Sequence, residues 1–141
     1  MIGELQCIVL DCPDPAVLAR FYAGLLGGEV DRPDPRWSLH PDWSTLHTPA
    51  GQVLCFQRVA DHRPPRWGDP ASPQQAHLDI DVPDLATAEP AVLALGATLL
   101  HDAGRWRIYA DPAGHPLCLL PARHRAAAPA VPSTRGARPA E

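Results

Sequence analysis

His77 and Asp79 stand two residues apart in "HLD", a spacing that on a strand sends both side chains to one face. A carboxylate in that position biases the imidazole's tautomer or raises its basicity, as a proton-transferring base requires. The same pair also reads as a satisfied core histidine beside a solvated acid. His77 and Asp79 are the catalytic candidates. A second signal is a phrase written twice, "HTPAGQVLCFQ" and "ADPAGHPLCLL", which puts Cys55 and Cys118 in one slot after Pro-Ala-Gly. Free thiols there either fill the inside of a strand as small apolar residues or serve as soft ligands. The third signal is aromatic. Among Trp37, Trp43, Trp67 and Trp106, Trp67 sits in the Pro-rich "RPPRWGDPASP", where it either covers a flat or apolar ligand or plugs a junction. Arg58, Arg105 and Arg107 could meet an anionic group, although arginine on a strand face is more often solvated.

The elements that must position these residues also repeat. "LDCPDP" at Leu10 to Pro15 matches "IDVPDL" at Ile80 to Leu85, each after an alternating segment and before an Ala/Leu-rich one. Asp14 suits an N-cap and Pro15 the first helical position, and Leu18, Phe21, Tyr22, Leu25 and Leu26 form an apolar stripe that Gly27 and Gly28 end. In the second half Asp84 caps a helix with Leu85, Ala88, Val92 and Leu95, and Pro90 predicts a bent or late-starting helix. Each half reads βαβββ. The fold class is therefore α+β: two βαβββ modules forming an open eight-stranded, cup-like barrel with helices outside. The cup should be lined by Cys7, Val9 and Asp11 on the first strand and by His77, Asp79 and Asp81 on the fifth, out of phase with the helix-facing set. The ligand-binding candidates are Trp67, Cys7, Val9, Cys55, Cys118 and Trp106.

Length and charge bound the rest. The 141 residues, 45% hydrophobic and 20% charged, make one domain over 1–121, with module one about 4–60, a connection 61–74 and module two 75–121. Residues 122–141, "ARHRAAAPAVPSTRGARPAE", lack apolar periodicity and are expected to be a disordered, removable tail. A net charge of -4 offers no basic field for nucleic acid, and no apolar run reaches membrane-spanning length. Four cysteines are few for a disulfide scaffold, and no secretory signal opens the chain, so a cytoplasmic location with reduced thiols is expected.

"LDCPDPAVLARFYAGLLGG", "PPRWGDPASPQQAHLDIDVPDLATAE" and "ALGATLL...YADPAGHPLCLL" resemble the glyoxalase-like group of the vicinal oxygen chelate (glyoxalase/bleomycin resistance/dioxygenase) superfamily over Glu4 to Pro121. The resemblance implies paired modules around a ligand or metal cavity, in a superfamily that holds metal-dependent isomerases, epimerases, dioxygenases and thiol transferases and also metal-free antibiotic-sequestering proteins. It places the family's ligand positions at Cys7, Cys55, His77 and Cys118. Of the four glutamates, Glu4, Glu29, Glu89 and Glu141, none falls on a closing strand. An oxygen-rich Mg, Mn or Ni centre and glyoxalase I activity are thus not expected. No cofactor is expected, with zinc on the three thiols and the imidazole as the alternative. Two functions stand: a glyoxalase-like small-molecule-binding protein holding a partly aromatic or apolar ligand, or an isomerase- or lyase-type enzyme using His77 as base or metal ligand. The partner is a small molecule, and the modules close within one chain or swap across a homodimer.

Overall fold

The computed structural model describes residues 1–37 and 40–122. The expected tail, 122–141, lies outside the described residues apart from Ala122. Module one runs β1 (Ile8–Cys12), α1 (Pro15–Leu26), β2 (Glu29–Val30), β3 (Trp43–His47) and β4 (Val53–Arg58). Module two repeats it with β5 (Leu78–Val82), α2 (Leu85–Ala94), β6 (Thr98–Asp102), β7 (Arg107–Ala110) and β8 (Pro116–Pro121). The two four-stranded sheets have matching orders, β1-β4-β3-β2 and β5-β8-β7-β6, with the first strand of each module parallel to the last.

The local reasons are those read from the residues. Asp14 accepts from the backbone N–H groups of Ala16 and Val17, and Pro15 opens α1 without needing a donor of its own. Leu18, Phe21 and Tyr22 are buried on the sheet, where Tyr22 stacks on Phe56. In module two Asp84 accepts from the Thr87 N–H and hydroxyl. The helix starts at once, at Leu85, so the late start expected from Pro90 does not occur. Pro90 falls at the sixth position, and α2 buries only Leu85 and Val92. What its apolar face lacks, Glu89 supplies: it accepts from the Tyr109 hydroxyl at 2.9 Å and pairs with Arg107 at 2.8 Å.

The two βαβββ modules are as expected, and the barrel is not closed: β1 and β5 each end a separate four-stranded sheet. The modules meet instead on the helix side. Leu95 packs on Gly24 of α1, and the Tyr22 hydroxyl donates to Asp111 at 2.9 Å in the turn between β7 and β8. The connection is pinned to that same turn, since a Cβ on Gly114, which has φ +91°, would collide with Pro64. Helix-facing side chains of both modules thereby share one core, which includes Leu46, Leu54, Phe56, Ile80, Val82, Leu117 and Leu119.

Candidate functional site

The strand faces opposite the helices carry the chemistry. On sheet one the register sets Val9 beside Cys55 and Cys55 beside Thr45, with Trp43 and His47 on the same face of β3. Leu10, Cys12, Leu46, Leu54 and Phe56 occupy the other face, as their place in the helix-side core shows. On sheet two Asp79 lies beside Cys118, Cys118 beside Ile108, and Ile108 beside His101, forming a row across four strands.

The loop after β2 covers the first face. Asp31 takes a left-handed backbone (φ 52°), and its carboxylate accepts from the Ser44 hydroxyl at 2.9 Å and the Thr45 N–H at 2.8 Å, turning the chain over β3. Asp34 then receives Arg36 bidentately, at 3.0 and 2.7 Å, and this pairing holds the Asp34 carboxyl well below the usual range. The N–H of Trp37 donates to the Asp34 carbonyl at 2.9 Å. Trp37 thereby stacks on Trp43 at 6.4 Å and meets the His47 ring edge-on at 6.5 Å.

Beneath this cover lie three buried polar atoms without partners, Trp37 Nε1, Thr45 Oγ1 and His47 Nε2. Burial holds His47 below its ordinary value, and Arg32 and Arg36 push it the same way, so the neutral imidazole is favoured. Beside it opens a pocket of about 510 Å³ bounded by His47, Arg32, Arg36, Gln52, Val53 and Gln6. A buried polar group left unpaired costs about 1–3 kcal/mol. Three together mark a surface shaped for something other than its own packing.

The residues singled out in the sequence divide between the two faces. Cys7 lies against Cys55, whose thiol is pushed up to about 12 by burial and by the Cys7 thiol beside it. His77 and Asp79 do meet, Nε2 to Oδ1 at 3.3 Å, but both are about half exposed. Cys118 is buried next to Asp79, and burial first and that carboxylate second raise its thiol. Val9 is 43% exposed, and Trp106 tilts against His101 at 5.4 Å. Trp67, 39% exposed, lines a shallow depression with Arg66, Pro70 and Pro73. Arg58 bonds Asp42 and Arg107 bonds Asp102 and Glu89, so neither is free to meet an anion.

The proposed zinc set does not come together. Cys55 lies on sheet one with Cys7 just before β1, while Cys118 lies on sheet two with His77 just before β5, and among the described residues no three His, Cys, Asp or Glu side chains are placed to share a metal ion. Glu89, already bonded to Tyr109 and Arg107, is no substitute. Thr45, His47 and Trp37 were not selected from the sequence. Their only sequence signal is the alternation of "WSTLH", which puts Trp43, Thr45 and His47 on one face.

Paired βαβββ modules with the first strand of each beside its last are the architecture that the resemblance to the vicinal oxygen chelate superfamily implies, and a family profile and solved structures agree with it. A profile for a glyoxalase-like domain matches residues 7–120, and the chain belongs to that family. Among solved structures it is similar to a glyoxalase/dioxygenase from Nostoc punctiforme, at 20% identity and TM-score 0.62, covering 84% of this chain and 90% of that one. It is similar too to the fosfomycin resistance protein FosX from Listeria monocytogenes, at 20% identity and TM-score 0.61 over 87% and 94%. The oxidase ChaP-H2 matches at 21% identity and TM-score 0.58 over 87% and 96%. At these identities the likeness is one of fold. No curated protein matches the chain. No helix among the described residues is long and apolar enough to cross a membrane.

Proposed function

We propose that this glyoxalase-like protein binds a small, partly aromatic molecule on the covered face of sheet one, with an oxygen-bearing group of the ligand directed at Trp37, Thr45 and His47. The observation that carries this reading is the set of three buried polar atoms without partners, two on one face of β3 and one on the Trp37 ring packed against it. An indole N–H and a hydroxyl both donate to a ligand oxygen, and a neutral imidazole does so in one tautomer. Arg36 is taken up by Asp34, which leaves Arg32, without a salt-bridge partner among the described residues, to favour a carboxylate or similar anion over a cation. The indoles of Trp37 and Trp43 offer the flat surface that an aromatic body stacks on. Four free cysteines suit a cytoplasmic setting. A thermal-shift screen of aromatic acids against the matching alcohols tests the reading. Acids should stabilise the protein, and Thr45→Val should weaken them by roughly tenfold, the cost of one hydrogen bond to a charged group. Equal stabilisation by acids and alcohols would sink the anion assignment.

A second reading rests on the 3.3 Å contact of His77 with Asp79. It makes the protein an isomerase- or lyase-type enzyme in which His77 removes a proton from a bound molecule. A hit from the screen, incubated in D₂O, would then lose a C–H signal in the parent protein and keep it in His77→Ala. Retention of the signal by both proteins would exclude His77 as the base.

A further inference from the structure

Between the free edge of β1 and the connection lies a second cleft, of about 640 Å³, that shares no lining residue with the covered pocket. Its walls are stiff and apolar, with Val9, Val59, Pro64, Pro65 and Pro73 among them. Its polar groups are dominated by acceptors, and the structure fixes two of them from behind.

Asp111 is the first anchor. Its side chain is fully buried, and its carboxylate accepts from the Tyr22 hydroxyl at 2.9 Å and from the N–H groups of Ala113 and His115 at 2.8 and 2.9 Å. With a hydroxyl and two backbone N–H groups aimed at it, this carboxylate is used as an acceptor. His115 Nδ1, 2.9 Å from Asp111 Oδ2, therefore carries a proton, which leaves Nε2 as the nitrogen free to accept. The second anchor is the Ala113 carbonyl, 2.7 Å from His62 Nε2. A carbonyl only accepts, so that nitrogen is the protonated one and His62 Nδ1 is left to accept. The two rings stand 5.5 Å apart, and both line the cleft together with the carboxylates of Asp11 and Asp61. Neither carboxylate has a salt-bridge partner among the described residues, and Arg63 is the one cationic side chain in the lining. A metal ion would suit these donor types, but no three of them are placed to share one.

We propose that this cleft is a second binding site, separate from the covered pocket, that takes a small protonated amine. Its ammonium donates to His115 Nε2 and His62 Nδ1 under the field of Asp11 and Asp61, and its apolar body lies against the prolines. Benzylamine is the test probe, titrated into the full chain in mildly alkaline buffer while histidine ring and tryptophan indole signals are followed by NMR. Saturable shifts of the His62 and His115 rings are expected, with the Trp37 and Trp43 indoles unmoved. Benzyl alcohol, the same body without the charge, should bind at least roughly tenfold more weakly. Asp61→Asn, at an exposed position, should weaken benzylamine several-fold without changing the melting temperature. His115→Gln should abolish the His62 response. The proposal fails if benzyl alcohol binds as well as benzylamine, if the shifts fall on the Trp37 and Trp43 indoles, if nothing saturates, or if both variants bind like the parent.

Discussion

The two modules repeat one order of strands and helices, yet they finish the face opposite the helix in different ways. In module one residues 31–37 form a built loop, turned by Asp31 and braced by the Asp34–Arg36 pair, that carries Trp37 onto Trp43 and His47. In module two β6 and β7 are joined by a tight turn, and its edge residues His77 and Asp79 remain about half exposed. The helices differ in the opposite sense from what the repeat suggests. α1 is held by an apolar stripe, α2 mostly by Glu89 bonded to Tyr109 and Arg107. A duplicated phrase thus sets the frame, and the unduplicated loop lengths decide where a ligand can be enclosed.

The largest effect that would sharpen this contrast is on stability. Leu18→Ala, at a 1% exposed position on α1, should cost about 2–5 kcal/mol by denaturant unfolding. Leu93→Ala on the exposed side of α2 should stay within about 0.5 kcal/mol. Similar losses would show that the two helices are anchored alike. Next comes the cover. Trp37→Ala should weaken any ligand of the first face by roughly tenfold, in line with loss of a buried aromatic contact, while Trp106→Ala leaves that ligand unaffected. If both matter, the ligand spans both sheets.

Thiol chemistry offers a finer probe. Cys55 and Cys12 are buried, with thiols pushed up to about 12 and about 11. Both should resist a thiol reagent until the chain unfolds, whereas the partly exposed Cys7 reacts in the native protein. Trp37→Ala should speed labelling of Cys55 and leave Cys118 unchanged, which peptide mapping would read. The smallest effect is on pH dependence. His47 is held below its unfolded value of about 6.5, so below that pH the unfolded chain takes up a proton that the folded one refuses. Stability is therefore lost as pH falls from about 7 to about 5, and His47→Gln should lose less over the same range. Identical slopes would mean that other groups carry the acid sensitivity.

Much of the frame was legible because it rests on local rules. The caps at Asp14 and Asp84, the stripe on α1 and the phase of β1 and β5 depend on neighbours within a turn or two. The His77–Asp79 contact was legible for the same reason. Three features were not. Trp37 reaches His47 through a loop without regular structure, so no periodicity announces it. Whether the cysteines of the two modules approach one another depends on how the modules dock, and the docking runs through Tyr22 and Asp111, which sequence reading gave no reason to join. The course of the connection was not legible either, since it is pinned at Pro64 to the turn at Gly114, a close approach that no local pattern announces.

The Tyr22–Asp111 bond has a bearing on the order of folding. Its partners are 89 residues apart, and the Tyr22 ring is wholly enclosed in the finished molecule. During synthesis from the N-terminus the whole of module one is made before Asp111 is added, so α1 spends that interval with its tyrosine hydroxyl facing water instead of its carboxylate. Burying that hydroxyl early would cost a hydrogen bond, which favours a loosely held α1 until the last hairpin arrives. The turn between β7 and β8 therefore acts as the latch on α1.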